Sequence, residues 1–328
     1  MKHKKISVLG SCLAVGLGSV FSFATPAFAD GNYPDKSVRL LVGFAAGGGS
    51  DAVARLIAKP LGDRLGQSVV VENRAGAGGN IASAAVAKGT PDGYTLVLMT
   101  SGHASNAALK KDLGFDPVKD FAWVSTVTTY PLTLAVAPAS PFKSFADFIR
   151  HTKAEPKRYT YTSVGVGTAM HLVGEWIMSE SGGEALHVPF KGGTGPMVEL
   201  LAGRVDVMID TMTNTAPLFN DKRVRVLATT APRGLNALPG VASVADTYPD
   251  VVFESWLGIA APAGTPPAVL ARLNKELQAV LAQPEIRQQL TAWGGSPKAS
   301  SPEEFKNRVD KDIRRLQAIV ADRKIQTQ

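Results

Sequence analysis

The sequence predicts an α/β fold built from two successive α/β units, and three observations carry that prediction. An extended apolar run, a glycine-rich turn and an amphipathic run follow one another over residues 37 to 65. The same strand, glycine loop and helix order returns over residues 158 to 180. Between and after them, short apolar strands alternate with helically spaced stripes, the order that places parallel strands beneath covering helices.

The first strand is expected over Ser37 to Phe44, and the helix over Asp51 to Leu65, where Val53, Leu56, Ile57, Leu61 and Leu65 recur at helical spacing. Between them lies Phe44-Ala45-Ala46-Gly47-Gly48-Gly49-Ser50-Asp51. A helix start leaves its first N–H groups unpaired and carries roughly half a positive charge, which suits a carboxylate, sulfate or phosphate. A tight turn with nothing bound is the competing reading. A strand at Ser68 to Val71, the stretch Gly76-Ala77-Gly78-Gly79-Asn80, a small-residue helix at Ile81 to Lys88, the turn Pro91-Asp92-Gly93 and a strand at Tyr94 to Met99 complete the first unit. A strand at Val127 to Ala137, the turn Pro138-Ala139-Ser140-Pro141 and a short helix at Phe145 to His151 follow.

The second unit begins with a strand at Arg158 to Ser163, a loop at Val164 to Thr168 and a helix at Ala169 to Glu180. It continues through strand Ala185 to Pro189, helix Gly195 to Ala202 and strands Val205 to Asp210 and Val224 to Thr229. A strand at Glu254 to Ala260 precedes Pro262 to Pro267 and a helix with apolar positions Val269, Leu270, Leu273, Leu277 and Leu281. Ser301-Pro302-Glu303-Glu304 is a capping box opening a last helix, striped by Phe305, Val309, Ile313 and Leu316.

The N-terminus reads as an export signal: basic Met1 to Lys5, largely apolar Ile6 to Phe23, then Ala27-Phe28-Ala29 as a small-x-small cleavage site after Ala29. Pro26 argues against a retained span, and too few apolar residues precede Cys12 for a lipoprotein reading. Of 35 basic and 28 acidic residues, Lys2, Lys4 and Lys5 leave with residues 1–29, so the net charge of the remainder is a mild +4. With 7% aromatics and no dense basic tract, nucleic acid is not an expected partner. Cys12 is the only cysteine, so cleavage leaves a chain without disulfides that relies on its cores.

The second loop, Ser163-Val164-Gly165-Val166-Gly167-Thr168, repeats the chemistry of the first, so two helix starts would grip one anion across a cleft. Enzyme motifs fail in turn. Met170 stands where Gly165-x-Gly167 would need a third glycine for a dinucleotide fingerprint. Tyr161, two residues before Ser163, stands where a nucleophile elbow wants glycine. His103, His151, His171 and His187 lack metal-ligand spacing, and His171 reads as a packing or supporting residue. No cofactor, metal or catalytic residue is expected.

Five motifs in order carry a resemblance: Phe44-x-x-Gly47-Gly48-x-x-Asp51, Val71-Glu72-Asn73-Arg74-x-Gly76-Ala77-Gly78-Gly79, Asp92-Gly93-Tyr94-Thr95-Leu96, Gly165-x-Gly167-Thr168-x-x-His171-Leu172 and Val188-Pro189-Phe190-Lys191-Gly192-Gly193. Together they resemble the Bug family of extracytoplasmic solute receptors, the substrate-binding components of tripartite tricarboxylate transporters. The resemblance implies a type II periplasmic-binding fold of two α/β lobes joined by crossing strands and closing on a carboxylate, often with ordered waters. Lobe 1 would comprise 30–128 and 249–328, and lobe 2 129–248. It implies ligand contacts from the backbone around Ala46, Gly47, Gly48 and Ser50, and from Ser163, Gly167 and Thr168. Ser101 and His103, on the loop after a strand, would read the distal end of the ligand, against a capping or surface role for His103. Asp210, in the loop after its strand, would favour an ammonium or hydroxyl, or would serve as a cap. Pro239-Gly240-Val241-Ala242-Ser243-Val244-Ala245-Asp246 departs from the family's Pro-Thr-x-x-Glu stretch. A monomeric periplasmic receptor serving transporter membrane components or a sensor protein is expected. The alternatives are an α/β enzyme acting on a small carboxylate or phosphate, or a ligand-gated partner of a sensor.

Overall fold

The first sheet is organised around β1 (Val38–Val42), whose Val38, Leu40, Leu41 and Val42 are all fully buried, as a strand covered on both faces requires. The computed structural model describes residues 33–110, 112–233, 235 and 238–325; the expected signal segment, with Cys12 and the cleavage site, lies outside them. β1 leads into α1 (Gly49–Leu65), which buries Val53, Ile57, Leu61 and Leu65 and stops at Gly66, whose left-handed backbone returns its N–H to Gly62 O at 2.9 Å. β2 (Val69–Asn73), α2 (Asn80–Ala87) and β3 (Thr95–Thr100) follow, and β1 pairs in parallel with β2 and β3 on its two sides. α3 (Gly102–Leu109) comes next.

β4 (Phe121–Val136) is the long strand that joins the two halves. Up to Pro131 it pairs antiparallel with β10 (Glu254–Pro262), and from Leu132 it pairs with β7 (Val207–Thr211) and β8 (Arg225–Thr229). Proline has no ladder donor to give, so the change of partner at this point costs no hydrogen bond. Thr230 stitches the crossing: its Oγ accepts the Leu132 N–H at 2.9 Å and donates to Phe253 O at 2.6 Å.

The second half repeats the first arrangement. α4 (Phe145–Ala154), β5 (Thr160–Ser163), α5 (Ala169–Ser181), β6 (Leu186–Pro189), α6 (Gly195–Leu201), β7, α7 (Met212–Asn220), β8 and β9 (Ala242–Ser243) follow in chain order. β5 lies parallel to β6 and β7. The chain returns through β10 to α8 (Pro267–Leu281), α9 (Pro284–Ala292), β11 (Ser296–Pro297) and α10 (Pro302–Asp322). The path across the sheet is β2-β1-β3-β10-β4-β7-β5-β6.

Three differences from the sequence reading have physical causes. β4 starts six residues before Val127, because buried Ser125 and Thr126 donate to the Ser300 and Lys298 carbonyls at 3.0 and 2.7 Å and so break the apolar alternation without breaking the strand. α3 and α7 escape periodicity: Gly-His-Ala-Ser-Asn-Ala-Ala-Leu has no large apolar stripe, and α7 opens on polar residues and contains Pro217. The departure at 239–246 retains its chemistry, since Ser243 and Asp246 form a complete capping box in which the Ser243 N–H donates to Asp246 Oδ2 at 2.8 Å.

Candidate functional site

A narrow cleft lies between the halves. Phe44, Gly48, Gly49, Ser50 and Thr100–Gly102 line one side; Val164, Thr168–Met170, Gly192, Gly193, Asp210, Thr211 and Asn214 line the other; Tyr130 and Ser255 of the crossing strands form the floor. Four helices begin here: the N-cap residues of α1, α3, α5 and α7 are Gly48, Ser101, Thr168 and Thr211, and all four line the cleft. In α1, α3 and α7 the N-cap side chain makes no capping hydrogen bond, although the first amide of α3, Gly102 N–H, donates to Thr100 Oγ1 at 3.1 Å. Each start directs roughly half a positive charge into the cleft, which no Lys, Arg or His lines among the described residues and where Asp210 is the one carboxylate.

The first loop is held from below by Asp51. Its carboxylate accepts the Gly47 N–H at 2.9 Å, Arg55 Nε at 2.9 Å and Asn73 Nδ2 at 2.9 Å, and Asn73 also donates to Phe44 O at 3.0 Å. Burial opposes its charge, yet these donors hold its carboxyl below the usual range. Asp51→Ala is expected to weaken ligand binding about tenfold, because the freed Gly47 loop must be ordered at the moment of binding; calorimetric titration measures it, and unchanged affinity would contradict this role.

The halves meet above the cleft. Ala45 and Gly192 form a parallel bridge, and the Ala45 N–H donates to Lys191 O at 3.3 Å. A Cβ on Gly48 would stand 3.1 Å from Gly193 N, so a side chain there would press on the facing backbone.

Beneath the second loop lies a stacked pair of imidazoles, His171 and His187, with ring centroids 4.3 Å apart. Neutral His171 accepts the Gly167 N–H on Nδ1 at 3.3 Å, and His187 Nε2 shares a 2.7 Å hydrogen bond with Ser163 Oγ. Thr168 Oγ1 donates to Gly165 O at 2.7 Å and closes the turn. Burial depresses both imidazoles, His187 to about 3 with added repulsion from His171, and burial alone takes His103 to about 4. All three titrate lower folded than unfolded, so from about pH 6.5 down towards 3 the unfolded chain binds the extra protons and stability falls with pH. Asp210, raised by burial to about 6, acts in the opposite sense between pH 6 and 4. The three imidazoles outnumber it, and unfolding midpoints in denaturant are expected to fall steadily below pH 6; a flat profile down to pH 4 would contradict the assignment.

Five of the expected site residues line the cleft: Gly48, Ser50, Ser101, Thr168 and Asp210. Ala46 and Gly47 lie instead at the seam, Gly47 with its N–H taken by Asp51. Ser163 is fully buried, engaged by His187, and Gly167 packs against Asn106. Two placements need correction. Asp210 is inside β7, where it pairs with Thr133, rather than in the loop after it. Ser101 and His103 belong to the start of α3 rather than to a loop, and the helix turns the His103 ring away from the cleft. Its Nε2 meets Pro117 O at 2.8 Å among Phe115, Phe121 and Trp123. Tyr130, Thr211, Asn214 and Ser255 escaped sequence reading; the polar run Asp210-Thr211-Met212-Thr213-Asn214 straight after an apolar strand is the one signal that marks two of them.

Residues 53–325 match the family described as tripartite tricarboxylate transporter family receptor. Protein BugT of Bordetella pertussis is 31% identical over 320 residues, covering 97% of this chain and 96% of that protein. An R. palustris protein solved with adipate is similar in structure, with a TM-score of 0.85, 33% identity, and coverage of 89% of this chain and 98% of that one. MatC from Rhodopseudomonas palustris, solved with bound malate, gives a TM-score of 0.84 at 30% identity over 88% of this chain and all of that one (100%). With two halves joined by crossing strands and a cleft ringed by helix starts, the chain belongs to the receptor family of the tripartite tricarboxylate transporters.

Proposed function

We propose that this protein is a monomeric periplasmic receptor, exported by residues 1–29, that captures an organic carboxylate between lobes 30–128 with 249–328 and 129–248 and delivers it to the transporter's membrane components. The observation that carries this reading is the convergence of four helix starts on one closed cleft. Relatives solved with adipate and with malate support it.

The reading is non-catalytic. Ser163 and His187 form a hydroxyl–imidazole pair at 2.7 Å, the arrangement of a nucleophile and its base. However, neither residue lines the cleft, and Ser163 Oγ also accepts the Gly165 N–H at 3.1 Å, so the pair braces the loop and does not face a substrate. Closure removes the anion from water and replaces its hydration with fixed amide donors. A few charged hydrogen bonds at roughly 1.5–3 kcal/mol each, less ordering costs, reach the micromolar range near about −8 kcal/mol. Calorimetric titration with a carboxylate panel tests this: one saturable site is expected, with the acid recovered unchanged. Absence of saturable binding across the panel would overturn the receptor reading, and product formation would overturn the non-catalytic one.

A further inference from the structure

We propose that Asp210 and Thr211 select an acid carrying an ammonium close to its carboxylate, so that the ligand is an aminocarboxylate with its cation seated between these two side chains. The inference deepens the receptor reading above and rests on it.

Asp210 is the only carboxylate among the described residues lining the cleft, and no basic side chain lines it. At 2% exposure its oxygens receive one donor each, the Thr211 N–H on Oδ1 at 2.6 Å and Asn214 Nδ2 on Oδ2 at 3.0 Å. A carboxylate oxygen accepts about two hydrogen bonds, so both retain capacity. The Thr211 hydroxyl, on a residue 7% exposed, is buried without a partner. It lies near enough to Asp210 to steady that charge, without the geometry of a hydrogen bond. A buried carboxylate with spare lone pairs thus stands beside an unpartnered hydroxyl, in a cleft otherwise furnished with amide donors.

An ammonium has three donors and no acceptor, a hydroxyl has one donor, and a second carboxylate has none. A ligand hydroxyl could also engage both groups, donating to Asp210 and accepting the Thr211 O–H, but only the ammonium brings a positive charge, which offsets the cost of keeping Asp210 ionised in a site that raises its carboxyl to about 6. The spacing is short: Thr211 Oγ1 lies 3.1 Å from where a Cβ on Gly49 would sit, and Gly49 opens the α1 amide cradle. A cation at Thr211 is therefore next to an anion on α1, which places the amino group on the carbon beside the carboxylate.

The test is calorimetric titration of the wild-type protein with matched pairs: propionate against alanine, succinate against aspartate, glutarate against glutamate, adipate against 2-aminoadipate. The amino member of at least one pair is expected to bind about tenfold or more tightly. In Asp210→Asn that preference collapses, the two members of each pair binding within about twofold of each other whatever their absolute affinities. Thr211→Val, nearly isosteric, reduces the preference and keeps the test open if Asp210→Asn fails to fold. Unsubstituted acids binding as tightly as their amino partners in every pair, or a preference unmoved in both variants, would overturn the assignment and leave a carboxylate receptor standing. No binding by any member would overturn both.

Discussion

Gly192→Ala is expected to weaken ligand binding about a hundredfold while moving the unfolding midpoint little. Gly192 has φ +81°, and a Cβ there would meet Phe44 Cβ at 2.9 Å, Phe44 Cδ1 at 3.1 Å and Ala45 N at 3.3 Å. Those three atoms belong to the opposite half, so the overlap exists only when the cleft is shut. Relief requires the loops to part, which breaks the Ala45 to Lys191 hydrogen bond and the bridge beside it. Overpacking costs roughly 1–3 kcal/mol and a lost hydrogen bond roughly 1 kcal/mol. A loss of about 2.7 kcal/mol in the closed form is a hundredfold in apparent affinity when the closed form alone holds ligand. Gly66→Ala is the control: φ +78° and nothing within 4 Å, so it carries the same backbone penalty without touching closure. Titration of the two variants, with small-angle scattering of each under saturating ligand, separates the effects. Equal affinity in Gly192→Ala and wild type would mean that the Ala45–Gly192 bridge does not hold the cleft shut.

The sequence disclosed what depends on local chemistry. Glycines after an apolar strand and before an amphipathic stripe announce a helix start that offers bare amides, and Gly48 and Thr168 stand at those starts. Ser301-x-x-Glu304 announced α10 to the residue. What stayed hidden depends on which distant segments meet. Tyr130 reads as one more residue of a strand, and only the crossing of β4 with β10 makes it the floor of a cleft beside Ser255. His103 reads as a polar residue near a ligand loop, yet one helical turn carries its ring into an aromatic cluster. Asp51 reads as an ordinary first-turn acid; its contacts with Gly47 and with Asn73, twenty-two residues away, reveal it as the anchor of the first cradle. The two α/β units were visible, but not that each contributes one further helix start, α3 in the first and α7 in the second, since small and polar residues make helices that hydrophobic periodicity does not register.

Phe305→Ala is expected to cost roughly 3–5 kcal/mol, the usual range for deleting a buried aromatic ring. Phe305 is fully buried in the first turn of α10, with its ring centroid 5.1 Å from Trp123 and 5.2 Å from Trp256, edge-on to both. Gly258 makes the seat: a Cβ there would overlap the Phe305 ring, so β10 gives up a side chain to let the C-terminal helix dock. The same helix holds Trp256 a second time, through Asp312 Oδ2, which accepts Trp256 Nε1 at 2.8 Å. Removing the ring therefore opens a cavity bounded by β4 and β10, the two strands that join the halves, and neither tryptophan can follow the loss while its indole or backbone is pinned. For a chain of this size, a loss of about 4 kcal/mol moves the unfolding midpoint by about 6 °C, which circular dichroism resolves. The disturbance should also reach the cleft, because Trp256 O accepts the Ser101 N–H at 3.0 Å and Ser255 Oγ bonds Ser101 Oγ at 2.7 Å. A stability loss below about 1 kcal/mol would mean that the cavity collapses and that α10 does not brace the crossing. A full stability loss with unchanged affinity would mean that β10 holds Ser101 and Ser255 in register without the helix behind it.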